Sequence, residues 1–457
     1  MNSILALTAL GVISMLSEIL RFRKQVLYPV VVAGLVIALG LTVNDWNTGI
    51  RYYSDMMYFD NYAVAFSALI ISVVLVWFLM AKDFVSDPLR QSDFSSLIFF
   101  ASAGAVVMVS HADLTMLFIG IEILSISMYV MSASKKDDAR SNESGFKYFL
   151  MGSFATGFLL FGMALVYGAT GTFNLAGIGA YAASGAVSDL MTPGILLIMA
   201  GLAFKVAAAP FHFWAPDVYD GAPTPVTAFM STVVKTAAFA AFLRLFQVSF
   251  APVGDVWKPA LAVISAVSIL GGNILAVYQT SLKRMLAYSS IAHAGYMIMA
   301  LVAGNDWSQS AMLLYLAAYS FASIGLFSVL LSLSEAGNES VSALKGFARV
   351  HQKPAFAIVI LTLSMAGIPP VAGFFAKYYM FSAAMISGYS WLVLLAVIGS
   401  LIGVYYYFRI IISMFQPADR DSVGIELPLN QQLVLWISLA ITVILGIAPM
   451  FITGLFA

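Results

Sequence analysis

The chain has 457 residues, of which 61% are hydrophobic and 10% charged, and its 22 basic residues balance 22 acidic ones. A soluble domain carries about 25% charged residues, so this composition excludes a chain built for water. The absence of cysteine excludes disulfides, thiolate zinc sites and cysteine-ligated iron–sulfur clusters, and zero net charge gives a nucleic-acid partner no electrostatic support.

In lipid every backbone amide must be paired internally, which leaves helices or a closed barrel. The apolar runs are continuous over about 20 residues rather than alternating, so the reading is an all-α polytopic membrane protein. In chain order the apolar stretches predict helices at 3–20, 26–43, 60–81, 94–110, 113–132, 146–168, 193–215, 223–249, 257–278, 284–303, 308–333, 354–382, 389–414 and 430–453. Only His111-Ala112-Asp113 separates the fourth from the fifth. One helix over 94–132 would be nearly twice the length that a bilayer accepts at about 1.5 Å per residue, so the chain must turn back there. The stretch FNLAGIGAYAASGAVSDL reads as a short interfacial helix, and SASKKDDARSNESGFK as a solvated connection.

The first apolar run has its basic residues after it, which marks a retained span and not a secretory signal. With the N-terminus outside, one set of loops holds Arg21, Arg23, Lys24, Lys82, Arg90, Lys135, Lys136, Arg140, Lys147, Lys283, Arg284, Lys345, Arg349, Lys353 and Arg420. The opposite loops hold Arg51 and Lys258. By the positive-inside rule both termini face away from the cytoplasm.

Five basic residues fall inside predicted spans. Arg244 and Arg409 lie near helix ends and are expected to snorkel to the interface. Lys205, Lys235 and Lys377 lie deep, as does Glu122 in MLFIGIEILSISMYV. Each central charge costs about 2.5–3.5 kcal/mol on insertion scales, so four amount to about 10 kcal/mol before any pairing. Three lysines and one glutamate cannot neutralise one another in pairs, which argues against static ion pairs. Burial loosens a lysine's proton and a nearby carboxylate tightens it. At roughly 6 Å and an effective dielectric near 20, that pair energy is about 3 kcal/mol, so moving the partner switches the lysine between holding and releasing a proton.

Two spans are interrupted beside these lysines. Pro210 and Pro216 follow Lys205, and Gly367-Ile368-Pro369-Pro370 precedes Lys377. Non-helical backbone at membrane depth persists only inside protein or around a wet cavity. Helices 94–249 and 257–414 form two blocks of five, offset by about 165 residues, and that offset carries Lys205 close to the second break. Five being odd, the blocks would be inverted repeats, an arrangement found in ion-translocating folds. The expected divisions are 1–93, 94–249, 250–414 and 415–457. The second block has no charge at the counterparts of Glu122 and Lys235, and offers His293 in SSIAHAGYMIM as a proton bridge between Lys235 and Lys377.

The stretches FKVAAAPFHFWAPDVYDGAPTPVTAFMSTVVKTAAF, LKRMLAYSSIAHAGYMIM and MAGIPPVAGFFAKYYMF resemble the antiporter-like subunits of respiratory complex I and of multisubunit sodium/proton antiporters. VYDGAPTPVTAF and GFFAKYYMF are closer to the subunit N branch than to the L or M branches. The resemblance implies that Glu122, Lys205, Lys235, His293 and Lys377 carry protons along a hydrated mid-membrane axis. It further implies that FMN, iron–sulfur clusters and quinone belong to other subunits of the complex, with no cofactor or metal in this chain. The implied partners are the other membrane subunits and lipid in a bacterial inner membrane. A stand-alone sodium/proton antiporter subunit is the alternative that shares these residues.

Overall fold

The computed structural model describes residues 1–19, 24–85, 91–185, 187–419, 424 and 426–456. Arg21, Arg23, Arg90 and Arg420 of the basic loops lie outside the described residues. The helices are α1 Asn2–Ile19, α2 Lys24–Asn44, α3 Asn61–Met80, α4 Gln91–Ser110, α5 Leu114–Ser132 and α6 Ala139–Thr170. Next come α7, in two pieces Met191–Lys205 and Trp214–Gly221, and α8 Thr224–Val248. The series ends with α9 Gly254–Val277, α10 Leu282–Ala303, α11 Trp307–Glu335, α12 in two pieces Gln352–Ala366 and Ala372–Ile386, α13 Ser390–Phe415 and α14 Leu429–Ile447. Among the described residues eleven helices are long and apolar enough to cross a membrane. Asn2–Ser17, Met191–Lys205 and Gln352–Ala366 are shorter apolar helices, and together these account for every expected span. The chain is an all-α polytopic membrane protein.

Local chemistry explains the ends. Asp113 starts α5 by accepting from the Thr115 amide at 2.8 Å, and Ser281 starts α10 by accepting from the Arg284 amide at 3.3 Å. Glycine in the left-handed region closes α6 at Gly171 and the first piece of α12 at Gly367. The short helix expected between the sixth and seventh spans is Leu175–Ala183, capped by Asn174.

The expectation for α6 needs correction. It begins at Ala139, not near 146, so more than half of the connection expected to be solvated is helical. Asp138 caps it through the Arg140 amide, and Glu143 pairs with Lys147 at 2.7 Å one turn on. A hairpin of two short strands, β1 Ile50–Tyr52 and β2 Met57–Phe59, fills the connection before α3. Met57 bridges to His111 at the α4–α5 turn.

The chain forms two compact units. One holds residues 1–206 and 233–260, the other 207–232 and 261–457. In the first, α4 and α5 meet backbone to backbone. A Cβ placed on Gly104 would stand 2.9 Å from the Gly120 carbonyl oxygen, so the crossing tolerates no side chain there. The same holds between α6 and the first piece of α7, at Gly162 and Gly194. In the second unit α10 packs against the second pieces of α7 and α12, and α11 packs against α12 and α14. Both breaks fall in the fourth helix of a block of five, α7 in α4–α8 and α12 in α9–α13.

Candidate functional site

In the first unit, α7 stops at Lys205 itself. The chain then leaves the helix, with Ala207 at φ 57° and a cis peptide at Ala209–Pro210, and resumes a helix at Trp214. The break spans residues 206–213 and contains Pro210, as expected, while Lys205 sits at its edge and not in mid-helix. Lys205 is 6% exposed. Its ammonium donates to the Ser125 hydroxyl at 2.8 Å and the Tyr129 hydroxyl at 3.4 Å, both on α5. Glu122, on the same helix, accepts from the Thr156 hydroxyl of α6 at 3.0 Å. Among the described residues no ion pair joins Glu122 to Lys205. The two charges are therefore neighbours held by neutral hydroxyls and not by one another.

Lys235, 1% exposed, follows directly on a π-helical turn, Met230–Val234, inside α8. Such a turn inserts one residue into the helical ladder and often marks a functional position. The sequence carries no signal for it, because MSTVV has no proline or glycine.

The second unit holds the other two expected carriers. His293 Nδ1 pairs with the Tyr315 hydroxyl at 2.8 Å and Nε2 with the Tyr407 hydroxyl at 3.1 Å, and Tyr407 pairs in turn with Ser289. A hydroxyl can give or take a hydrogen, so either tautomer of the ring is accommodated. Beside His293, Tyr315 and Tyr319 lies a cavity of about 10 Å³ that also touches Ser364 and Gly373 of α12, room for about one water molecule. Lys377, 6% exposed, lies six residues into the second piece of α12. Its ammonium donates to the Ala366 carbonyl, freed by the break, and to the Ser400 hydroxyl, each at 2.8 Å. The Tyr296 ring faces it at 5.0 Å, a cation–π contact that strengthens out of water.

Arg244 departs from its expected place, whereas Arg409 lies near a helix end as expected. Arg244 does not snorkel: it is 6% exposed and pairs internally with Asp60. It also donates to the carbonyls of Tyr58 and His111 at 3.2 and 3.3 Å, and lies 5.0 Å from the Tyr62 ring centre. One guanidinium thus ties the β-hairpin, the α4–α5 turn and α8 together, because five fixed donors outcompete a reach to the interface. Arg409 reaches the end of α9, donating to the Val277 and Gln279 carbonyls at 2.7 and 3.2 Å.

Lys283, read as a loop residue, is 3% exposed. It donates to the Ala222 carbonyl at 2.7 Å and faces Glu339 at 3.7 Å. With Arg284 near Asp217 and Asp220, it secures the C-terminal end of the second piece of α7, where a cation is favoured. Among the described residues no three His, Asp or Glu side chains converge to hold a metal ion.

Residues 111–403 match the family model described as NADH:quinone oxidoreductase/Mrp antiporter, TM. NADH-quinone oxidoreductase subunit N of Cytophaga hutchinsonii is 40% identical over 98% of both chains. The subunit N of Trichlorobacter lovleyi is 39% identical over 91% of this chain and 87% of its own. A chain of respiratory complex I from Thermus thermophilus superposes with a TM-score of 0.86 at 31% identity, covering 100% of this chain and 99% of that one. A chain of the Mrp complex from a Dietzia species shares the fold, with a TM-score of 0.89 at 20% identity over 100% of this chain and 96% of that one. The chain belongs to the membrane family of NADH:quinone oxidoreductase and Mrp antiporter subunits, within its subunit N branch.

Proposed function

We propose that Glu122, Lys205, Lys235, His293 and Lys377 carry protons across the membrane, and that this chain does so as an antiporter-like, non-redox subunit of NADH:quinone oxidoreductase. The observation that carries the reading is that every deeply buried lysine expected to move a proton sits at a discontinuity in its helix. Lys205 ends the first piece of α7, Lys235 follows the π turn of α8, and Lys377 binds the carbonyl left open where α12 breaks. Lys205 and Lys377 are held by uncharged oxygens. Each ammonium therefore rests on oxygens that can be exchanged without breaking a direct ion pair. Glu122, held by Thr156, is the movable counter-charge for Lys205. In the second unit the hydroxyl-bracketed His293 suits a group that takes a proton on one ring nitrogen and passes one from the other.

Quinone reduction in other subunits drives the transfers in this reading, with FMN, iron–sulfur clusters and quinone bound there. The partners are the other membrane subunits of the complex and lipid. The chain lies in a bacterial inner membrane with both termini on the non-cytoplasmic side.

The test is to tag the chain, extract it in mild detergent, and assay the purified material for NADH:quinone turnover and bound flavin. Co-purification of both supports the reading. A preparation holding only antiporter-type partners, with no redox activity, overturns it in favour of a stand-alone exchanger.

A further inference from the structure

We infer that the Tyr129 hydroxyl, acting with Thr156, is the proton relay that joins Lys205 to Glu122; this rests on reading those two residues as proton carriers. Lys205 has two hydroxyl partners, and they are not equivalent. Ser125 accepts from the ammonium but spends its own hydrogen on the Ile121 carbonyl at 2.6 Å, so a proton passed to it meets a backbone acceptor and stops. Tyr129 accepts from the same ammonium at 3.4 Å, and among the described residues no backbone carbonyl takes its hydrogen. Its hydroxyl stands beside Ser125, Thr156 and Glu122. Thr156 in turn donates to the Glu122 carboxylate at 3.0 Å. Taken in order, Lys205 donates to Tyr129, Tyr129 stands beside Thr156, and Thr156 donates to Glu122; a hydroxyl can give or take a hydrogen, so Tyr129 can hand its own to Thr156.

The step balances. A Lys205 N–H bond breaks and a Glu122 O–H bond forms, while Tyr129 and Thr156 each give one proton and receive one. Lys205 and Glu122 both end neutral, so the total charge of the pair stays at zero while one positive charge moves from Lys205 to Glu122.

The seat of Tyr129 is built for its hydroxyl. Gly152, one turn before Thr156 on α6, has no side chain where a Cβ would stand 2.1 Å from the Tyr129 oxygen and 2.6 Å from its Cζ. The ring is held edge-on by Tyr148, with centroids 4.8 Å apart at 88°. A phenylalanine would satisfy that packing equally well. The hydroxyl is the feature that packing does not require.

The experiment uses the complete complex reconstituted in lipid vesicles, with Tyr129→Phe, Thr156→Val, Thr156→Ser, Gly152→Ala and Glu122→Gln. The readout is NADH-driven proton translocation across a range of pH, with the assembled complex quantified for each variant. Loss of a hydrogen bond to a charged partner sets the scale at about tenfold. Tyr129→Phe and Thr156→Val are expected to slow translocation by about that factor and to alter its pH profile. Thr156→Ser, which keeps a hydroxyl, is expected to restore most of the rate, and Gly152→Ala to act in the same direction as Tyr129→Phe. If Tyr129→Phe fails to assemble, the contrast between Thr156→Val and Thr156→Ser decides. Wild-type rate and pH profile in both Tyr129→Phe and Thr156→Val, alongside an impaired Glu122→Gln, overturns the relay and leaves the carriers standing. A wild-type Glu122→Gln removes the carrier reading and the relay with it.

Discussion

Lys377 lies folded over Gly367. A Cβ on that glycine would stand 2.7 Å from the lysine's Cδ and 3.0 Å from its Nζ. Gly367 also adopts φ 84°, a left-handed conformation that only glycine takes cheaply. The break in α12 therefore turns the chain, opens the Ala366 carbonyl and leaves the space into which the ammonium returns to bind it.

That arrangement predicts a specific sensitivity. Gly367→Ala combines a backbone penalty of about 1–2 kcal/mol with displacement of the ammonium from its carbonyl. Proton translocation in vesicles is expected to fall more than it does for Ser400→Ala, which removes one of the two oxygens but leaves the backbone seat intact. Equal effects, or a silent Gly367→Ala, would contradict the account.

Arg244 and Asp60 make a different prediction, about stability. Truncating one partner of a fully buried pair costs about 3–5 kcal/mol, and with Asp60 28% exposed the loss here is expected at or below the low end of that range. Arg244→Ala is expected to lower the thermal stability of the complex and the amount assembled. Arg244→Lys keeps the charge but loses the fork that reaches Tyr58 and His111, and should fall in between. A thermal melt of purified complex, monitored by loss of NADH:quinone activity, reads both.

Lys283 tests whether the second piece of α7 needs an external clamp. Lys283→Met keeps the apolar stem but leaves the Ala222 carbonyl without its charged donor, a loss of about 1–3 kcal/mol. The prediction is faster hydrogen exchange in Trp214–Gly221, with little change in α14, which lies elsewhere in the same unit. Unchanged exchange in Trp214–Gly221 would show that Arg284 with Asp217 and Asp220 holds the piece alone.

The legibility of this chain in its sequence followed the range of the physics involved. The spans were readable because hydropathy over about 20 residues is a local quantity, and so were both breaks, since proline and glycine act on their own backbone. The deep charges at Glu122, Lys205, Lys235 and Lys377 stood out against apolar flanks. Arg244 was misread because its partner Asp60 lies 184 residues away, and Lys283 because Ala222 lies 61 residues away. The early start of α6 was hidden by a polar composition that a capped helix outside lipid tolerates. The π turn before Lys235 and the hydroxyl partners of Lys205 depend on packing between helices, and serine, threonine and tyrosine in apolar runs give no hint of their mates.

The central claim is that a lysine at a helix discontinuity moves the proton, and Lys235→Ala tests it most directly. In the assembled complex, in sealed vesicles, the quantity to measure is protons translocated per NADH oxidised, with NADH oxidation by an artificial acceptor as the control. The account predicts that the control activity stays at wild type while protons per NADH fall. An unchanged ratio of protons to NADH, with the complex fully assembled, would contradict it.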